Sequence, residues 1–174
     1  MEAKQILDSV RAAKDDFGLK CGKYAGAVTI EVFRKAIRDA GHNVSSRDTY
    51  IRGIPIEVDL LLVRPGAEPQ CECLYEPCDV LVAVEIKNSG VFTKSGIETI
   101  RSNFEKITEA NTEIRCCYVT LEERETYKWR VTNENLGRPY RAFTLFWHTG
   151  SKNIYHEETG DWRKFLAWLG EGKG

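Results

Sequence analysis

No run of about 18 apolar residues occurs anywhere in the sequence, so nothing in it reads as a membrane-spanning helix. There is no glycine-rich phosphate loop of the Walker or Rossmann spacing, which argues against an ATPase or a dinucleotide enzyme. Charge of one sign is not in excess: 25 Lys and Arg against 26 Asp and Glu leave a formal −1. That excludes a histone-like protein that holds polyanions by bulk charge, while a local basic face stays open. Histidine is scarce, and His42, His148 and His156 show no spacing of a ligand pair or a relay, so they read as surface or turn residues. No internal repeat, low-complexity tract or linker interrupts the 174 residues, a length that suits one domain. The first residues lack the unbroken apolar core of a secretory signal. The six cysteines are not needed as staples in a core of this size, so a reduced, cytoplasmic chain is expected.

What is present is periodic. Ala3, Ile6, Leu7, Val10, Ala13 and Phe17 fall at helical spacing, with Gly18 as a stop. A second helix is expected over 24–40, ended by Gly41. The period then changes to two. Residues 54–63 read as one strand, with Ile56, Val58, Leu60 and Leu62 on one face and Glu57, Asp59, Leu61 and Val63 on the other. Prolines at 65, 69 and 77 mark 64–78 as a loop, and Val80–Lys87 as the next strand, broken by Asn88-Ser89-Gly90. A helix over 95–110, strands over 114–121 and 141–148, and a short helix over 161–169 capped by Asp161 complete the chain. The order predicts one α/β or α+β domain with a mixed central sheet flanked by helices. Residues 1–22 read as an N-terminal helical extension, 24–121 as the core, and 122–174 as C-terminal strands and helix.

Two aliphatic strands carry acids, and a buried unpaired carboxylate costs several kcal/mol, so neither is casual. Glu85 and Lys87 project from one strand face. If the Asp59 strand pairs with theirs, two carboxylates and an ammonium converge. Such carboxylates suit a hard divalent cation, and the lysine suits charge on a phosphate. The alternative is a structural ion pair on a partly wet strand, worth little.

Ile56-Glu57-Val58-Asp59-Leu60-Leu61 followed by Val84-Glu85-Ile86-Lys87 resembles the PD-(D/E)XK nuclease superfamily. The resemblance spans about residues 24–121. It implies a restriction-endonuclease-like fold and a Mg²⁺- or Mn²⁺-dependent endonuclease acting on nucleic acid, in the first place DNA. Asp59 and Glu85 would hold the metal with the Ile86 carbonyl as a further ligand, and Lys87 would assist the attacking water. Many members also carry a helix acid. Here the expected position holds Ile30, and Glu31 follows one residue later, rotated by about 100° on a helix. Glu31 therefore enters as a supporting residue, and its offset favours a second reading, a binding or assembly module that keeps the fold without cutting. Pairing of two copies is a further expectation, since many such nucleases cut as symmetric pairs.

Lys128, Arg130, Arg138 and Arg141 alternate with aromatics between Tyr127 and Lys152, a pattern that fits either a nucleic-acid surface or a strand pair with inward rings. Phe143 and Trp147 are expected in the core. Arg47 and Arg52 are further candidates for phosphate contact. Glu57 reads as a solvent-facing acid or a second metal ligand. Cys71, Cys73 and Cys78 are unpaired loop thiols or part of a zinc site, although no CxxC pair is present. Cys116 and Cys117 read as small core residues. The stripe Trp162, Phe165, Leu166, Leu169 reads as core or as a dimer contact.

Overall fold

The computed structural model describes residues 1–16, 22–149 and 155–171. The chain opens with α1 (Ala3–Asp16) and α2 (Gly22–Asp39). A three-stranded sheet follows, with β1 (Thr49–Ile51), β2 (Ile54–Val58) and the later β4 (Leu74–Tyr75) in the order β2-β1-β4. The larger sheet holds β3 (Leu60–Val63), β5 (Val80–Ser89), β6 (Arg115–Arg124), β7 (Arg141–Thr149) and β8 (Tyr155–Glu158), in chain order from edge to edge. Helix α3 (Lys94–Ala110) crosses between β5 and β6, the single turn α4 (Asn133–Leu136) lies between β6 and β7, and α5 (Asp161–Gly170) ends the fold. β5, β6 and β7 are parallel, and β3 and β8 run antiparallel at the two edges. Both sheets are mixed, as the element order predicts.

The large sheet is covered on both faces, which explains why β3 and the first part of β5 read as nearly continuous aliphatic runs. On one face Leu60, Leu62, Val82, Val84, Ile86, Cys117, Val119 and Leu121 pack against α1, α2 and α5. On the other, Leu61, Val63, Ala83, Cys116 and Tyr118 meet α3 and the small sheet. Helix α1 belongs to the core, since Ala3, Ile6, Leu7 and Val10 are buried in it. A side chain such as Leu60 or Leu121, with no exposed surface, contributes about 2–3 kcal/mol by leaving water. At the end of α2, Gly41 takes φ 85°, and the His42 N–H returns to the Ile37 carbonyl.

Several elements differ from the sequence reading. Residues 54–63 are two strands: β2 and β3 belong to different sheets, and Asp59 is the bend between them. Ile56 and Val58 therefore share the α3-side core with Leu61 and Val63, while Leu60 and Leu62 face the other way. The loop 64–78 contains β4, whose two residues pair with β1. Asn88 and Ser89 extend β5 instead of breaking it, and β6 runs on to Arg124. Gly160 caps α5; Asp161 is its first helical residue, and its carboxylate accepts from the Thr144 N–H at 3.1 Å. Trp147 is half-buried beneath Arg130, while Phe143 is core as expected. Trp162, Phe165 and Leu169 are core. The Gly18 stop lies outside the described residues. Among the described residues no helix is long and apolar enough to cross a membrane.

Candidate active site

Register explains the first cluster. Leu60 pairs with Val84, so the next residue out on each strand, Asp59 and Glu85, meet where β3 begins. β5 continues past that point, and its free edge is used: the Ile86 N–H donates to Asp59 Oδ2 at 2.7 Å. Lys87, two residues beyond Glu85 on the same face, places Nζ 2.5 Å from Glu85 Oε1 and 3.5 Å from Asp59 Oδ2. The side chains are 15% (Asp59), 21% (Glu85) and 37% (Lys87) exposed, so the lysine is the most open member. Burial and the neighbouring Glu85 charge push Asp59 up to about 6, against the opposing pull of Lys87 and the Ile86 N–H. Burial works against the Lys87 ammonium, but Glu85 and Asp59 outweigh it and hold the pKa above the ordinary lysine value. Two carboxylates in one small space with a single ammonium leave excess negative charge there.

The other expected residues scatter. Glu31 is exposed on α2 and forms a forked ion pair with Arg34, through Nε at 2.8 Å and Nη2 at 2.5 Å. The Arg34 hydrogen bond holds the Glu31 carboxyl below its usual range, helped by Arg38 and Arg47. The inward residue of that turn is Thr29, fully buried, whose hydroxyl reaches Asn88 Oδ1 at 3.2 Å; Lys14 from α1 donates to the same oxygen at 2.8 Å. Glu57 is exposed and accepts from the Tyr50 hydroxyl. Arg47 pairs with Asp48, and Arg52 is bound to Glu76 and Gln70 within the small-sheet region. The basic segment divides. Lys128 and Arg130 follow the carboxyl end of β6, over Trp129 and Trp147, whereas Arg138 and Arg141 stand at the amino end of β7. In parallel strands those are opposite ends of the sheet, so the four do not form one surface. Cys71, Cys73 and Cys78 form no three-donor metal group, and Cys21 lies outside the described residues.

Two features escape the sequence. Among the described residues one group of three metal-donor side chains assembles: Glu122 of β6, His148 of β7 and His156 of β8. This corrects the reading of His148 and His156 as surface or turn residues. No motif spacing marks them, because their meeting depends on a β7–β8 pairing in a strand with no aliphatic pattern. The second is Glu123, 2% exposed, with neither carboxylate oxygen hydrogen-bonded. Burial pushes it up to about 7, against the pull of Arg130. Gly90 makes room for it, since a Cβ at that position would stand 2.3 Å from Glu123 Oε1.

No protein-family model matches the chain, and no curated protein matches it in sequence. Solved structures do resemble it. NucC from P. aeruginosa ATCC27853 in its cAAA-bound form superposes with a TM-score of 0.68 at 7% identity, over 98% of this chain and 88% of that one. NucC from E. coli MS115-1 gives 0.64 in its cAAA-bound form, at 10% identity over 98% of this chain and 88% of that one. The apo form of the same protein gives 0.57 at 10% identity, over 98% of this chain and 92% of that one. At these identities the likeness is one of fold, and the chain is a mixed α+β domain of the restriction-endonuclease-like kind.

Proposed function

We propose that the chain is a divalent-metal-dependent nuclease of the PD-(D/E)XK type, an endodeoxyribonuclease with Asp59, Glu85 and Lys87 as its centre. The observation that carries this reading is the convergence of the three side chains at the bend between the sheets, with Lys87 Nζ bridging both carboxylates. The donor set fits a cation. Both carboxylates offer hard oxygens, and the mutual repulsion that raises Asp59 is what a divalent ion relieves, so Mg²⁺ or Mn²⁺ is the expected partner. In an extended strand a residue's N–H and C=O point to the same edge. Ile86, whose N–H reaches Asp59, therefore turns its carbonyl to that edge as a further ligand. When bound, the ion supplies Lewis-acid polarisation of the phosphodiester and a lowered pKa of attacking water. Lys87 holds its proton near neutral pH and presents an ammonium at the open side of the group, where oxygens that gain charge during displacement accept hydrogen bonds from it. Similarity in fold to proteins named NucC supports the reading without supplying a substrate.

A second reading, a non-cutting nucleic-acid or assembly module on the same fold, is favoured by one observation: Glu31 is engaged by Arg34 and not by the Asp59 group. One experiment separates the two. Purified protein is incubated with Mg²⁺ or Mn²⁺ and duplex, nicked, branched and single-stranded DNA or RNA, with K87A as control. Metal-dependent cleavage of DNA that K87A lacks supports the nuclease. Binding without cleavage supports the module, and cleavage undiminished in K87A removes Lys87 from the mechanism.

A further inference from the structure

The group Glu122–His148–His156 lies on the face of the large sheet opposite the Asp59 centre. His156 stacks edge-on against Phe146 of the α1-side core and is met by Arg11 of α1. The Glu122 Oε2 and His148 Nε2 atoms are 2.6 Å apart, and Glu122 Oε2 and His156 Nδ1 are 3.8 Å apart. All three donor atoms lie within 4.8 Å of one another. Around a tetrahedral ion with bonds near 2.0–2.1 Å, ligand atoms stand about 3.3 Å apart, so the two Glu122 spacings of 2.6 and 3.8 Å bracket the separation that a coordination shell needs. The side chains are 15%, 19% and 9% exposed, in the order Glu122, His148, His156. The least exposed side chain of the three is also unsatisfied: His156 Nδ1 is buried with no hydrogen-bond partner, 3.8 Å from Glu122 Oε2.

We propose that Glu122, His148 and His156 form a second metal site, selective for a borderline transition ion of the Zn²⁺ class, with one coordination position left open. Two imidazoles and one carboxylate suit such an ion, whereas Mg²⁺ prefers an all-oxygen shell. Arg11 is the competitor. A guanidinium only donates, so in its present contact His156 Nε2 accepts and the ring proton sits on Nδ1. Coordination through Nδ1 moves that proton to Nε2 and forces Arg11 away. Arg11 thus covers the ring that the ion would take, and the ion would tie β6, β7 and β8 together.

The test uses the full chain carrying D59N and E85Q, so that binding is read apart from the proposed nuclease centre and survives even if that centre proves inactive. The chelator-stripped protein is loaded with Co²⁺ as a spectroscopic probe, then with Zn²⁺ in competition. The expected result is one Co²⁺ per chain with ligand-field bands of low coordination number and nitrogen–oxygen donors, displaced by Zn²⁺. H148N and E122Q should weaken binding at least tenfold, and R11Q should tighten it severalfold. Sulfur-to-cobalt charge-transfer bands, signifying thiolate binding, would overturn the proposal. So would affinity unchanged in H148N and E122Q, or no stoichiometric binding by the parent chain, a readout that requires no variant of the site to fold. Affinity unchanged or weakened in R11Q would overturn the role given to Arg11.

Discussion

Two polar clusters stand on opposite faces of the five-stranded sheet, and they handle buried charge differently. On the α3 side, two carboxylates are held near each other by a lysine, and Asp59 answers by binding its own proton more tightly. On the α1 side, a single carboxylate meets two imidazoles, and an arginine supplies the remaining contact. The first cluster keeps a fixed negative excess suited to hard cations. The second offers mostly neutral nitrogen, suited to softer ones. One sheet can carry both because successive side chains along a strand point to opposite faces.

Breaking the first cluster should have the largest effect. K87A and D59N are expected to lower metal-dependent cleavage by at least about 10²-fold, the scale seen when a preorganised charge-stabilising group is removed; initial rates on supercoiled plasmid measure this. Breaking the common support comes next. Leu121 is fully buried between the clusters on β6, and L121A should cost about 2–5 kcal/mol in urea unfolding.

A third test sharpens the contrast through pH. The folded Asp59 pKa of about 6 lies above its ordinary 3.8, so the native state binds this proton more tightly than the unfolded chain. Stability from this group is therefore full below the unfolded value, declines as pH rises, and is lost above about 6. In chelator, D59N should melt higher than the wild type at pH 7.5, by roughly 1–3 kcal/mol, and lose that advantage at pH 4. Saturating Mn²⁺ should raise the wild-type melting temperature and leave D59N unmoved. The smallest effect is expected at Glu31. E31Q removes an exposed pair worth about 0.3–0.5 kcal/mol and should change cleavage by less than about twofold.

The Asp59 cluster was readable because its signal is local. Glu85 and Lys87 share a face at spacing two, and an acid on a preceding aliphatic strand needs only hairpin pairing to reach them. The chemistry of that pattern and the α+β class both follow from residues close in sequence. The bend at Asp59 is hidden, since one continuous strand over Ile54–Val63 satisfies the same two-residue alternation; only the pairing of β2 with β1 in a second sheet reveals the break. Strand β4 is two residues long among turn formers and leaves no periodic trace. The His148–His156 pair depends on β8, a strand of Tyr, His and Glu with no apolar face, so no pattern announced its neighbour. Glu31 enters only through the helix acid that the family resemblance implies, one residue off the expected position, and the Arg34 three residues on, within reach of its carboxylate, engages it instead.

Cleavage rate as a function of Mn²⁺ concentration, in the wild type and in E85Q, tests whether Asp59 and Glu85 together hold the ion that Lys87 works beside. The expected result is a saturable wild-type curve and an E85Q curve displaced to much higher Mn²⁺ with a lower plateau. Superimposable curves would contradict it.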